Sequence, residues 1–263
     1  MTIISETLRK KNSNCALIPF ITAGYPNLNS TIEALYALDA NGADIIELGI
    51  PYSDALADGP VIQESSRIAL EQGIYLDQVL VILQTVYQKL NAPIVIFTYY
   101  NPVLVKGIEN FISDIAGFGV SGLIIPDLPL EETDYLIELC AKFQIELILF
   151  IAPTSSEKRM DSILSKSPGC IYLVSNYGVT GVRDKINYEI NNLAKQIKTK
   201  TNKLIMLGFG ISSIEQAAQI SRWDIDAIVI GSAFVTTMFN NSQSDGIKSL
   251  GSFCKNIKDS ISI

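Results

Sequence analysis

The sequence contains no histidine, although it runs to 263 residues. This absence excludes every mechanism that needs an imidazole base and every metal site that needs a histidine ligand. The four cysteines are widely separated and include no CxxC pair, so they suggest neither a disulfide framework nor a zinc pattern: Cys15, Cys140, Cys170 and Cys254. We therefore expect a reducing compartment, no metal, and chemistry based on carboxylates, tyrosines and backbone amides.

Basic runs and long apolar runs are also missing. The net charge is −7 and the pI is near 4.7, which argues against a nucleic-acid partner. The longest apolar runs, such as residues 147–152, have the length of a strand. With neither a secretory signal nor a transmembrane span, we expect no membrane partner. Frequent Ile, Asn, Lys and Ser fit an AT-rich genome, so we expect a soluble protein of the cytoplasm, or of the plastid stroma if organelle-encoded.

Apolar, strand-like runs recur along the chain between amphipathic helical patterns. Eight such runs occur, at 16–22, 44–49, 94–99, 122–126, 146–151, 170–175, 203–208 and 227–231. Helical patterns include 29–40, 61–72 with 77–90, 130–142, 156–166 and 213–221. This alternation indicates a parallel sheet covered by helices. Eight units at this length favour a closed (β/α)8 TIM barrel, with an extra N-terminal helix, and predict one domain over residues 1–263.

The stretch ADIIELGIPYSDALADGP, residues 43–60, places a carboxylate inside an apolar strand. Alternate residues of a strand face opposite sides, so Ile45, Glu47 and Gly49 are predicted to point into the barrel. Glu47 would then lie near the carboxyl end of the second strand, where barrel enzymes carry out their chemistry. Burial there would raise the carboxyl pKa and let Glu47 act as an acid. The alternative is a structural glutamate paired with a buried Arg or Lys.

The other two acids of this stretch have simple local interpretations. Asp58 is followed by Gly59 and Pro60, a pattern typical of a helix start, where an acceptor caps free backbone amides. Taken alone, the pattern favours capping for Asp58. By the same local reasoning, Asp54 is a solvated acid of the loop.

Two glycine turns follow the seventh and eighth strands. Gly208 and Gly210 precede a predicted helix start at 212–213, and Gly231 precedes another at Ser232. Glycine lets an anion approach the backbone, and helix N-termini offer free amides. Because these two loops are the recurrent phosphate site of such barrels, the pair predicts a phosphate site. The alternative is that the glycines only form tight turns.

A third glycine-rich loop, SNYGVTGVRDK, follows the sixth strand. Its residues Gly178 and Gly181 suggest a lid that closes over a ligand, with an ordinary long surface loop as the alternative. Tyr172 lies in the strand just before this loop. By local reasoning alone it is more often a core residue than a catalytic one.

Eight motifs in order make the chain resemble the alpha subunits of tryptophan synthase along nearly its whole length. They are IPFITAG at 18–24, IELGIPYSDALADGPVIQ at 46–63, TYYNP at 98–102, GLIIPDLPLEE at 122–132, IAPTS at 151–155, YLVSNYGVTG at 172–181, GFGIS at 208–212 and IGSAFV at 230–235. The block around ELGIPYSD is highly specific. Two departures stand out: Tyr25 replaces the Asp of a G-D-P turn, and Ala55 replaces the Pro of S-D-P.

The resemblance implies a retro-aldol cleavage of indole-3-glycerol phosphate to indole and glyceraldehyde 3-phosphate. Glu47 matches the general acid/base that protonates C3 of the indole. Asp58 matches the carboxylate that accepts a hydrogen bond from the indole N–H. Tyr172 matches a nearby active-site tyrosine. The reaction so implied uses no metal and no organic cofactor.

The resemblance also implies binding sites and a partner. Phosphate contacts carry over to Gly181, Gly210, Gly231 and Ser232, and an apolar slot for indole carries over to Phe20, Ile124 and Phe209. Asp54 is expected to couple the site to a beta subunit in an alpha2-beta2 tetramer. Pyridoxal phosphate is expected only on that beta partner.

Three other interpretations stay open at this point. The chain could be a stand-alone lyase that releases free indole, or a non-catalytic activator of a beta subunit. Retention of both Glu47 and Asp58 argues against the activator. A different phosphate-binding barrel, such as a sugar-phosphate isomerase or epimerase, would share the glycine turns but not the block around Glu47.

Overall fold

The computed structural model describes residues 2–11, 13–174, 188–208, 210–239 and 243–262. Eight parallel strands pair in chain order, and the last pairs with the first to close a barrel. The strands are β1 (Ala16–Thr22), β2 (Ile46–Gly49), β3 (Ile94–Phe97), β4 (Val120–Ile124), β5 (Glu146–Ile151), β6 (Cys170–Val174), β7 (Leu204–Gly208) and β8 (Ala227–Ile230). The predicted (β/α)8 barrel is confirmed.

Helices surround this barrel. They are α1 (Ile3–Lys10), α2 (Leu28–Ala40), α3 (Pro60–Glu71), α4 (Leu76–Val86), α5 (Tyr100–Lys106), α6 (Ile108–Gly117), α7 (Thr133–Lys142), α8 (Glu157–Lys166), α9 (Tyr188–Lys200), α10 (Ile214–Ile220), α11 (Ser232–Phe239) and α12 (Gln243–Ile261), with a 3-10 turn at Leu130–Glu132. The predicted N-terminal helix is confirmed as α1. Within the described residues no helix has both the length and the hydropathy that a membrane span requires.

The ends of several elements differ from the predicted ones by a few residues. The strand predicted at 44–49 begins only at Ile46, because the Asp44 side chain accepts a hydrogen bond from the Leu17 amide at 2.7 Å and pairs with Lys258 at 2.6 Å. Helix α4, predicted to reach residue 90, ends at Val86, and Gln88 adopts a left-handed φ of 58°. Such non-local contacts and backbone reversals leave little trace in an apolar pattern.

Helix α1 covers the amino-terminal end of the barrel. Ile4 is fully buried next to Gly122 of β4, and the Ser5 hydroxyl donates to the buried Glu146 carboxylate of β5 at 2.9 Å. The other end is left for the loops that follow each strand. That residues 1–263 form one domain stays a prediction, since it includes residues outside the described ranges.

The alternation predicted for β2 is observed. Glu47 is paired in register with Phe20 of β1, and both line a cavity inside the barrel. Gly49 faces the same way, since a Cβ placed on it would lie 2.5 Å from Cζ of Phe20. Strand β2 therefore places Glu47 in the barrel interior, close to the carboxyl end of the strand at Gly49.

Candidate active site

The cavity at the carboxyl ends of the strands collects most of the predicted site residues. It is lined by Phe20, Glu47, Asp58, Ile62, Phe97, Tyr172, Gly210, Val229, Gly231 and Ser232. Ile124, predicted for the indole slot, ends β4 fully buried and is not among these lining residues. The predictions for Gly178, Gly181 and Phe209 lie outside the described residues. Ile62, Phe97 and Val229 are additional lining residues that the sequence did not single out.

Glu47 is a buried acid that pairs with no base among the described residues. Its side chain is 2% exposed, and Oε2 makes no hydrogen bond within the described part of the chain. No Lys or Arg is among the described residues that line the cavity, so the described part of the chain gives no support to the interpretation of Glu47 as half of a buried ion pair. Burial, and secondarily the nearby charge of Asp58, raises the pKa of Glu47 to about 8.

Asp58 faces the same cavity and does not cap the helix that follows it. The N-cap of α3 is Gly59, and no side chain caps that helix. The Asp58 carboxylate instead accepts a hydrogen bond from the hydroxyl of Tyr99 at 2.9 Å. The local capping interpretation is therefore wrong. Burial raises the pKa of Asp58 to about 6, and the bond from Tyr99 opposes part of that rise.

Tyr172 of β6 contributes a neutral phenol to the same cavity. Its side chain is buried, and its ring contacts Phe150 with centroids 4.9 Å apart. Burial and then the charges of Glu47 and Asp58 raise its pKa well above the usual value. Gly208 of β7 makes room for it, because a Cβ at that position would collide with the Tyr172 hydroxyl.

The two glycine turns lie beside the carboxyl pair. Gly210 has a φ of +85°, which favours glycine, and Ser213 caps α10 by accepting from the Gln216 amide. Helix α11 begins at Ser232, directly after Gly231. The cavity thus has an acidic side, formed by β2 and its loop, and a side of glycines and helix starts that can receive an anion on neutral amides.

A comparison with known proteins identifies the family. The family model described as "Tryptophan synthase alpha chain" matches residues 6–262. The chain belongs to this family. Two relatives, the tryptophan synthase alpha chains of Gracilaria tenuistipitata var. liui and Antithamnion sp., are each 62% identical to it. The alignments cover 99% and 98% of this chain and 97% and 98% of the relatives.

Solved structures of the same family share the fold of this chain. A tryptophan synthase of Mycobacterium tuberculosis superposes with a TM-score of 0.88 at 31% identity, over 99% of this chain and 97% of that one. The tryptophan synthase subunit alpha of Legionella pneumophila does so with 0.88 at 30% identity, over 99% and 98%. The family is that of the indole-3-glycerol-phosphate lyases, whose reaction needs no cofactor.

The loop between β2 and α3 places Asp54 away from the cavity. Asp54 is exposed, its carboxylate accepts a hydrogen bond from the Ser53 hydroxyl at 3.3 Å, and it is not among the described residues that line the cavity. Ala55, one of the two departures from the family pattern, is buried, and its carbonyl accepts from Gln63. Tyr25, the other, is buried and stacks on Phe239 at 6.1 Å.

Tyr99 contacts the site through Asp58, and the sequence did not single it out. It lies in the TYYNP motif, which contributed to the resemblance without a role for any of its residues. Its hydroxyl contacts Asp58, a residue 41 positions earlier in the chain. Only the barrel topology brings the two together, so no local pattern could have identified the pair.

Proposed function

We propose that Glu47 and Asp58 carry the cleavage of indole-3-glycerol phosphate to indole and glyceraldehyde 3-phosphate in this chain. The observation that supports these roles is the contrast between two buried carboxyls in one cavity. With a pKa of about 8, Glu47 holds its proton at neutral pH, whereas Asp58, with a pKa of about 6, is ionised there. Such a pair supplies an acid and an anion side by side.

The proposed reaction begins with proton transfer from Glu47 to C3 of the indole, which leaves a positively charged ring. Asp58 accepts a hydrogen bond from the ring N–H and stabilises that charge. The Glu47 carboxylate then removes the proton from the glycerol hydroxyl next to the ring. The C–C bond breaks, its electron pair returns to the ring, and indole and the aldehyde form with Glu47 protonated again.

The apolar side of the cavity is suited to the indole. Phe20 and Phe97 meet edge to face with centroids 5.8 Å apart, and Ile62 and Val229 complete this side. Phe20 is the part of the predicted slot that lines the cavity. The contributions of Ile124 and Phe209 stay predictions, as does a contact between Tyr172 and the substrate.

The phosphate is proposed to bind at Gly210, Gly231 and Ser232, with Gly181 as a further contact outside the described residues. A Cβ on Gly231 would lie 3.3 Å from Ile62 and 3.4 Å from Phe20, so the backbone there is closely surrounded on its apolar side. Its other neighbours are the start of α11 and the turn at Gly210. Neutral amides and the positive end of a helix would hold the dianion.

The chain is further proposed to work with a beta subunit in an alpha2-beta2 tetramer, the beta subunit carrying pyridoxal phosphate. A tryptophan synthase complex from Pyrococcus furiosus superposes on this chain with a TM-score of 0.85 at 31% identity, over 93% of this chain and 98% of that one. The algal relatives support the plastid stroma as its location, under the expectation that the gene is organelle-encoded.

Substitution of the two carboxyls tests the proposed roles. Glu47→Gln should lower the rate of indole formation by about 10²–10⁴-fold, the usual contribution of a general acid or base, with little change in affinity for glyceraldehyde 3-phosphate. Asp58→Asn should be similarly severe. The control is Glu71→Gln, which alters an exposed glutamate on α3 paired with Arg67. Turnover of Glu47→Gln within tenfold of the unaltered chain would show that another group carries the proton.

A further inference from the structure

Three contacts from the β2–α3 loop converge on the ring and hydroxyl of Tyr99. The hydroxyl donates to Oδ2 of Asp58 at 2.9 Å and accepts from the backbone amide of Ala57 at 3.0 Å. The ring of Tyr52 stacks on the ring of Tyr99 with centroids 5.1 Å apart and planes 29° apart. One phenol therefore contacts the catalytic carboxylate, the backbone beside it and an aromatic ring at the start of the loop.

The position of Tyr99 is itself fixed by the barrel. It follows β3 directly before α5, is 3% exposed, and meets Phe97 edge to face with centroids 6.2 Å apart. A buried ring packed on two sides has few alternative rotamers. It offers the loop a rigid support, which a loop that carries a catalytic side chain otherwise lacks.

We propose that Tyr99 is a positioning residue for Asp58, holding the carboxylate and the loop that carries it in the geometry that cleavage requires. This inference rests on the proposed role of Asp58. Tyr99 is not among the described residues that line the cavity, so it acts through Asp58 and not on the substrate. Because the hydroxyl donates its proton to Asp58, the lone pairs of the other Asp58 oxygen stay available for the indole N–H.

The same bond favours the ionised form of Asp58. The described titratable groups that face Asp58 are Glu47 from β2, Tyr99 after β3 and Tyr172 from β6, and the cavity lining contains no Lys or Arg. Tyr99 is thus the one described neighbour that lowers the pKa of Asp58 against the effect of burial. Without its hydroxyl, Asp58 should take up a proton at higher pH and lose its ability to stabilise the charged ring.

Helix α3 also holds the loop, and a variant of that contact distinguishes the effect of loop packing from the effect of charge on Asp58. The amide of Gln63 on α3 donates to the carbonyls of Ala55 and Asp58, at 3.2 and 3.0 Å. It supports the same loop but does not contact the carboxylate. Loosening the loop through Gln63→Leu should lower the rate at all pH values alike, without moving the acidic limb of the pH profile.

The test is Tyr99→Phe, which keeps the ring and its packing. We expect the acidic limb of kcat/KM to move about one pH unit higher, the effect of one hydrogen bond to a charged group. We expect kcat at pH 7 to fall about tenfold, about twofold of it from protonation of Asp58 and the rest from lost positioning. Only the part that comes from protonation should recover as the pH is raised. Tyr100→Phe is the matched control, since it makes the same change one residue further on, at a hydroxyl that pairs with Glu132 and not with Asp58, and should leave the profile unchanged.

Two further measurements make the outcome decisive. Added to Asp58→Asn, Tyr99→Phe should cause no further loss of kcat, because its target is already neutral. If Tyr99→Phe does not fold, 3-fluorotyrosine at position 99 makes a stronger donor and should move the acidic limb to lower pH. An unmoved limb, or a full additional loss in the double variant, overturns the role of Tyr99. Near-normal turnover of Asp58→Asn alone would instead overturn the proposed function.

Discussion

The position proposed for Glu47 in catalysis is one in which its ionised form destabilises the folded protein. The side chain is buried and Oε2 has no hydrogen-bond partner within the described residues, so its ionised form is strongly disfavoured. An acid held in this way keeps its proton at neutral pH, as proton donation to the indole requires. The same burial must lower the stability of the folded chain once the proton is lost.

This gives a prediction on stability. The folded pKa of Glu47, about 8, lies above the ordinary 4.5, so the folded state binds its proton more tightly and loses stability as the pH rises from about 4.5 to about 8. Glu47→Gln should therefore become progressively more stable than the unaltered chain across this window, by a few kcal/mol at the upper end. Denaturant unfolding at several pH values measures this. Glu71→Gln should show no such trend, and a pH-independent difference for Glu47→Gln would contradict the raised pKa.

The two carboxyls also show how far residue-level prediction reaches. The inward orientation of Glu47 was predictable because strand alternation is a local property with a period of two. The environment of Asp58 was not, because its partner Tyr99 lies on another strand connection. Local reasoning on Asp-Gly-Pro therefore predicted a cap, and only the resemblance to the family assigned the role that the cavity geometry now supports.

At the scale of elements, the apolar runs predicted where strands form better than where they end. The runs at 16–22 and 146–151 coincide with β1 and β5, whereas the run at 122–126 corresponds to β4, Val120–Ile124. Strand ends depend on ladder pairing with neighbours, such as the bond from the Thr98 amide to the Ile124 carbonyl at 3.0 Å. This shift matters for the site, since it leaves Ile124 buried at the strand end.

The turn after β7 gives the second prediction. Gly210→Ala forces a left-handed residue to carry a Cβ next to the proposed phosphate site, at a φ of +85°. Gly73→Ala makes the same change at a φ of +78°, where a Cβ meets nothing within 4 Å and no ligand site is proposed. Both variants should lose roughly 1 kcal/mol of stability. Only Gly210→Ala should also weaken glyceraldehyde 3-phosphate binding, by about tenfold, through disturbed amide contacts to the charged group.

Isothermal titration of both variants with glyceraldehyde 3-phosphate and with free indole completes this test. Indole binding should change little in either variant, because indole lacks the phosphate. Equal weakening of phosphate-ester binding in the two variants would mean that strain alone is responsible. The amides near Gly210 would then not be the phosphate site.

At the scale of the whole molecule, closure of the barrel explains why residues so distant in sequence form one site. Phe20 from β1, Tyr172 from β6 and Gly231 after β8 meet because every parallel strand ends at the same rim. The count of eight units predicted this closure. The sequence did not predict that Ile62 of α3 would complete the lining, because helix packing over the rim depends on the whole assembly.

Two strongly exposed apolar side chains lie on the segments that follow β2 and β3. Leu56, in the loop after β2, is 84% exposed, and Val105 on α5, after β3, is 80% exposed. Both side chains lie on segments that follow neighbouring strands, β2 and β3, and Leu56 is in the same loop as Asp54. Exposed apolar side chains on and after the loop that bears Asp58 suit an interface with the proposed beta subunit.

The last prediction concerns that interface. Val105→Glu should weaken association with a purified beta subunit by about tenfold or more, because it buries a charge against the partner. The matched control Val81→Glu, at a 48% exposed position on α4, should leave association unchanged. Neither variant should alter the rate at which the chain alone releases indole. Asp54→Ala should preserve phosphate binding but reduce activation by the partner. Since coupling between two sites is reciprocal, a substrate analogue in the cavity should tighten association. Full activity without the beta subunit, unchanged on its addition, would instead identify a stand-alone lyase.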